Sequence, residues 1–158
     1  MIPDSKTASI ENDVYQMFTK IFMQLDDSDS RFFAAFGLSV RQYWALQYLD
    51  EGQGCSMVDL SRRLLTDKSN VTGIIDRLEH LKLARRTGAA QDRRVTLIVL
   101  TPEGRQLRDS IQELHDRRIR ELVGVLDEDK LQDLLASLHT ISRQVDAILA
   151  QDDSSQTP

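Results

Sequence analysis

Residues 67–104, DKSNVTGIIDRLEHLKLARRTGAAQDRRVTLIVLTPEG, change their period twice. Val71, Ile74, Ile75 and Leu78 recur at helical spacing and predict a helix from about Lys68 to His80 with these side chains facing inward. LARRT (83–87) and VTLIVL (95–100) then have strand composition, and the Gly88–Arg94 link between them contains Gly, Ala and Asp. In TPEG (101–104), Thr101 serves as the N-cap and Pro102 as the first residue of another helix.

Upstream, Ser39 with Gln42 forms a capping-box pattern that opens a helix from about Val40 to Asp50. EGQG (51–54) is a loop, and Ser56 with Asp59 repeats the capping pattern and opens a short helix to about Leu64. Two helices joined only by LLTD read as helix-turn-helix. Followed directly by a β-hairpin, they form a winged helix with the hairpin loop as its wing.

The flanks are helical. Apolar residues at 10, 14, 17, 18, 21, 22 and 25 predict an amphipathic helix that DDSDS (26–30) interrupts, and Phe32, Phe33 and Phe36 precede Gly37 as a C′ residue. After Pro102, a helix carries Leu107, Ile111, Leu114, Ile119, Leu122, Val123 and Leu126, and DEDK (127–130) breaks it with Asp127 as the next cap. A last helix places apolar residues at 131, 134, 135, 138, 141, 145, 148 and 149, and QDDSSQTP (151–158) is expected as a disordered tail. The predicted fold is mainly α with a small β-hairpin wing. It is one domain over 1–158, with a winged-helix lobe at about 38–101 and dimerisation helices at about 10–36 and 102–150. The long apolar stripes exceed what one small domain can cover, so a two-fold dimer is expected.

Length and composition agree: 158 residues, 41% hydrophobic and 28% charged, are ordinary for one soluble globular domain. No apolar run approaches the roughly 20 residues that span a bilayer, MIPDSKTAS lacks the regions of a signal peptide, and Cys55, the single cysteine, cannot close an internal disulfide. A cytoplasmic protein is expected. Net charge is −5, yet Ser61–Arg94 holds nine Lys/Arg against four acids and is therefore positive by five. A basic centre between acidic ends points to a local anionic partner.

Nothing reads as catalysis. There is no glycine-rich phosphate loop, no paired catalytic carboxylates in a recognisable context and no nucleophile motif. His80, His115 and His139 lack metal-ligand spacing, so neither metal nor cofactor is expected. Cys55, just before the Ser56 cap, reads as a small apolar core residue rather than an oxidant sensor.

From Leu38 to Leu107 the chain resembles the MarR (multiple antibiotic resistance regulator) family of bacterial transcription factors. DKSNVTGIIDRLE (67–79) resembles its recognition helix, and DRRVTLIVLTPEGRQL (92–107) its wing, second strand and following helix start. The resemblance implies a homodimer held by N- and C-terminal helices, two winged-helix lobes on a pseudo-palindromic operator, and control by small, often phenolic, ligands or by oxidants. The chain departs from the family at Lys82, where a Gly usually precedes the first wing strand.

The site residues follow. Lys68, Ser69, Asn70, Thr72, Gly73 and Arg77 occupy the helix face opposite the apolar one, where short polar side chains read base edges in the major groove and Asn can pair bidentately with adenine. The resemblance makes Arg94 the minor-groove residue of the wing, with Arg93 on the backbone and Asp92 holding the loop in shape. Arg62 and Arg63 are candidate phosphate contacts, and Arg85 and Arg86 divide between phosphate contact and internal ion pairs, Arg86 being carried as a DNA contact. Aromatics concentrate in the first two helices; Tyr15, Phe18, Phe22, Tyr43 and Trp44 are candidates for contact with an aromatic effector, against the plainer reading of core packing. The expectation is a sequence-specific DNA-binding regulator, a homodimeric repressor released by a small molecule. The alternative is a protein-interaction module that keeps the fold without DNA binding, against which the local positive charge argues.

Overall fold

The computed structural model describes residues 9–49, 54–88 and 96–155. Element order is α1 (Ile10–Ala34), α2 (Val40–Leu49), β1 (Cys55–Ser56), α3 (Met57–Arg63), α4 (Lys68–His80), β2 (Ala84–Gly88), β3 (Thr96–Leu100), α5 (Pro102–Val123) and α6 (Glu128–Ser155). The chain divides into two compact units, Met1–Ile111 and Gln112–Pro158, with the boundary inside α5.

Most helix starts are set by the caps read in the sequence. The Ser39 hydroxyl accepts the Gln42 N–H (3.2 Å) while the Gln42 side chain accepts the Ser39 N–H (2.9 Å), which closes a capping box. Ser56 accepts the Asp59 N–H (3.1 Å), and Thr101 accepts the Gly104 N–H (2.9 Å). α1 differs from expectation, because it runs through DDSDS to Ala34. Asp and Ser cost a helix only a few tenths of a kcal/mol each, far less than Pro. Arg31 bridges back to Asp27 (2.9 Å), and Phe33 beyond the acidic run is fully buried. The helix ends where Gly37 turns at φ +73° and the Leu38 N–H reaches the Phe33 carbonyl (3.2 Å), a Schellman-type closure.

α4 ends the same way without glycine. Lys82 sits at φ +60°, and the Leu83 N–H reaches the Leu78 carbonyl (2.9 Å). The family departure at this position is thus carried as left-handed backbone strain on a lysine, about 1 kcal/mol.

The sheet has order β1-β3-β2, all antiparallel, with Cys55 opposite Ile98 and with Ala84 opposite Leu100 through to Gly88 opposite Thr96. β2 was expected one residue earlier, Val95 at the expected start of the second strand lies outside the described residues, and β1 was not expected at all. Two residues carry no alternation to read, but their pairing places Cys55 in the core, as an apolar residue would be. Phe33, Leu46, Leu60, Ile75, Leu78, Ile98 and Ile111 form the centre of that core. Gly104 marks its tightest approach: a Cβ there would lie 1.9 Å from the Leu83 carbonyl oxygen, so only glycine lets α5 begin against the start of β2.

In the second unit, Asp127 caps α6 through the Lys130 N–H (3.0 Å), and Lys130 adds an ion pair (2.5 Å). Both groups hold the Asp127 carboxyl below its usual range, the ammonium hydrogen bond most. α6 continues to Ser155, so 151–155, expected as tail, extend the helix, while 156–158 lie outside the described residues. No Gly or Pro interrupts that stretch, and each added residue extends the hydrogen-bond ladder. Leu135, Val145 and Leu149 are about half exposed, and no described apolar side chain of this unit is buried.

Candidate nucleic-acid interface

α4 buries Val71, Ile75 and Leu78 and leaves Lys68, Ser69, Asn70, Thr72, Gly73 and Arg77 exposed. All six expected reading positions therefore share one solvent face. The N-terminus of this helix is held by a network wider than a simple cap. The Asp67 carboxylate accepts the Asn70 N–H (2.8 Å) and the Ser69 hydroxyl (2.6 Å) on one oxygen, and the Asn70 side-chain amide (3.0 Å) on the other. The same amide nitrogen donates to the Thr66 hydroxyl (3.1 Å), which also accepts from Arg41 (3.3 Å). The Ser69 hydroxyl first, then the Asn70 N–H, hold the Asp67 carboxyl below its usual range, so it is ionised at neutral pH.

The role of Arg41 and Thr66 left no mark in the sequence. They stand 25 positions apart, and only the fold brings α2 against the turn before α4.

Arg86, carried as a DNA contact, has a different position. Its guanidinium pairs with Asp76 (2.8 Å) and with Glu79, and its own N–H donates to the Glu79 carboxylate (2.8 Å). Register explains this: residues 76 and 79 lie one turn apart on the side of α4 that meets β2. Arg86 thus ties α4 to β2 and compensates two α4 carboxylates. It is a strut rather than a presented cation. Arg85 beside it is exposed.

Arg62 is exposed and pairs with Asp59 (3.5 Å) through groups both largely in solvent, an interaction worth little. Arg63 lies over the Tyr48 ring (5.8 Å to its centre), which orients the side chain while leaving it exposed. Lys68 and Thr72 of α4, with Arg86 and Thr96 of the hairpin, line part of an open cleft of about 450 Å³. Asp92, Arg93 and Arg94 lie outside the described residues.

The aromatic candidates divide. Tyr43 is buried, stacked on Phe33 (centroids 4.1 Å apart) and hydrogen-bonded through its hydroxyl to Gln47 (2.7 Å). Its surface is spent on the core, so it drops from the effector set. Phe18 is half-buried, and Tyr15, Phe22 and Trp44 are exposed. Among the described residues, no group of three or more His, Cys, Asp or Glu could hold a metal, and no helix is long and apolar enough to cross a membrane.

Comparison with known proteins places this geometry. Residues 36–95 match the sequence family described as MarR family. The chain is 34% identical over 96 residues to the HTH-type transcriptional regulator PapX of Escherichia coli, covering 60% of this chain and 58% of that one. It spans well under two thirds of that relative. It is 33% identical over 104 residues to the HTH-type transcriptional regulator FarR of Neisseria gonorrhoeae, covering 64% of this chain and 71% of that one. Among solved structures, AbsC, a MarR family regulator from Streptomyces coelicolor, superposes with a TM-score of 0.80 at 23% identity, covering 90% of this chain and 99% of that one. The Staphylococcus aureus MepR–DNA complex superposes with a TM-score of 0.75 at 24% identity, covering 82% and 96%. CouR from Rhodococcus jostii, bound to p-coumaroyl-CoA, superposes with a TM-score of 0.76 at 24% identity, covering 85% and 95%. The chain belongs to the MarR family of DNA-binding transcriptional regulators, which are not enzymes.

Proposed function

We propose that this regulator is a homodimeric repressor that reads a pseudo-palindromic operator and is released by a small aromatic molecule. The observation that carries the reading is α4: its apolar face is fully used in the core, while Lys68, Ser69, Asn70, Thr72, Gly73 and Arg77 remain in solvent on a helix rigidly capped at its leading end. A helix so mounted fits the major groove, with Arg62, Arg63 and Arg93 reaching the phosphate backbone and Arg94 of the wing entering the adjacent minor groove.

Dimerisation is supported by the exposed apolar positions of α1 and α6, such as Ile10, Phe22, Leu135 and Ile148. The effector reading is supported by Tyr15, Phe22 and Trp44 on the surface and by a related fold, CouR, solved with an aromatic thioester bound. A ligand releases DNA only if it binds the DNA-incompatible arrangement more tightly. The test is selection of a binding site from random duplex DNA, followed by footprinting. An inverted repeat with half-sites about 10–10.5 base pairs apart, centre to centre, is expected. Protection of one half-site only, or no selected sequence, contradicts the proposal.

A further inference from the structure

The hydrogen bonds around Asn70 limit which bases it can read. An amide nitrogen carries two hydrogens. Here Asn70 Nδ2 gives one to the Asp67 carboxylate (3.0 Å) and one to the Thr66 hydroxyl (3.1 Å). The carboxylate fixes which edge faces the cap: it can only accept, so the nitrogen and not the oxygen of the amide lies against it. The Thr66 hydroxyl, which also receives a hydrogen from Arg41 (3.3 Å), therefore accepts from that same nitrogen. The nitrogen edge of Asn70 is therefore turned back into the cap, and its oxygen edge faces away from it at the third position of an exposed helix.

The bidentate pairing of Asn with adenine needs both edges: the amide nitrogen donates to N7 while the oxygen accepts from N6. In this helix that pairing would take at least one amide hydrogen from the cap and turn the nitrogen edge away from an ionised carboxylate, and hydrogen bonds to charged groups are the stronger kind. We propose that Asn70 presents only its carbonyl oxygen to DNA and selects an amino-bearing base, adenine or cytosine, over a keto-bearing base, guanine or thymine, on the strand it contacts. In the major groove adenine N6 and cytosine N4 are donors, whereas guanine O6 and thymine O4 are acceptors that would face the Asn70 oxygen repulsively. Asp67, Thr66 and Arg41 are then positioning residues, which set the specificity of Asn70 without touching a base. The inference rests on the proposed placement of α4 in the major groove.

Operators selected from random DNA by the full-length protein and by Asn70→Ala test it. The base position whose preference changes between the two is the one Asn70 faces. Asn70→Ala retains its fold because the backbone cap to Asp67 (2.8 Å) does not involve the deleted group. The parent should favour adenine or cytosine there by about two- to tenfold, and the variant should lose that preference. The second arm uses the unaltered protein. If adenine is selected, replacement by 7-deazaadenine should change affinity by less than about twofold, because N7 is not read. If cytosine is selected, bidentate pairing is excluded directly. A preference for guanine or thymine, a variant with unchanged preferences at every position, or a tenfold loss on 7-deazaadenine would overturn the inference while leaving DNA reading intact. A pool with no enriched sequence would overturn the DNA-reading assignment itself, and the inference with it.

Discussion

The winged-helix lobe and the C-terminal helices use their apolar residues in opposite ways. Within residues 36–111 most of the described large apolar side chains close on one another, and Leu46, Leu60, Val71, Ile75, Leu78, Ile98 and Ile111 are wholly buried. In α6, Leu134, Leu135, Leu138, Ile141, Val145, Ile148 and Leu149 recur at helical spacing and all remain in solvent. One region spends its apolar surface on its own core; the other leaves an apolar face exposed, which the proposed dimer would cover. The difference separates two classes of substitution, those expected to unfold the lobe and those expected to dissociate the proposed dimer.

The largest effect is expected on the open face. Burying a leucine is worth about 2 kcal/mol, and a residue on a two-fold interface counts twice, so Leu135→Glu should cost about 4 kcal/mol, roughly a thousandfold in dimer dissociation constant. Sedimentation should show a monomer at micromolar concentration with near-native helix content. An unchanged dimer would remove α6 from the interface. Gly104→Ala should act on the other region. With a Cβ placed 1.9 Å from the Leu83 carbonyl oxygen, α5 must move, and thermal unfolding should report a loss of about 3 kcal/mol. A variant as stable as the parent would show that the lobe yields more easily than its packing implies.

The contrast was only partly visible in the sequence. Caps at Ser39, Ser56 and Thr101 and the turn at Gly37 are local signals, and each stands where its residues predict. DDSDS misleads for the reason that caps succeed: Asp and Ser favour breaks by local bonding, but burial of Phe33 beyond them outweighs that preference. The face of α4 was legible from its period, while the fate of its charges was not. Arg85 and Arg86 read alike, divided between phosphate contact and internal ion pairs, until the register sets Arg86 against Asp76 and Glu79. Likewise Tyr43 and Trp44 are adjacent in sequence, but helix rotation buries one against Phe33 and exposes the other.

Two smaller predictions sharpen the account of the lobe. Lys82→Gly should stabilise it by about 0.5–1 kcal/mol, because relief of the left-handed strain exceeds the added freedom of the unfolded chain. A lower melting temperature would mean the lysine side chain contributes more than its strain costs. The Asp67 carboxyl should titrate below its ordinary value of 3.8, as followed by NMR. Because its folded pKa is depressed, its stabilisation is complete above the unfolded pKa and is lost as pH falls through the folded one. The cap should therefore be intact at neutral pH and fail only in strong acid. Titration at or above the ordinary value would show that the Ser69 and Asn70 hydrogen bonds do not form.

The most direct test of the lobe as a DNA-binding head is the salt dependence of operator affinity. If two lobes neutralise about six to ten phosphates, affinity should fall roughly 10³- to 10⁵-fold between 50 and 200 mM salt. An affinity that stays flat across that range would contradict a phosphate-tracking interface at α3, α4 and the wing.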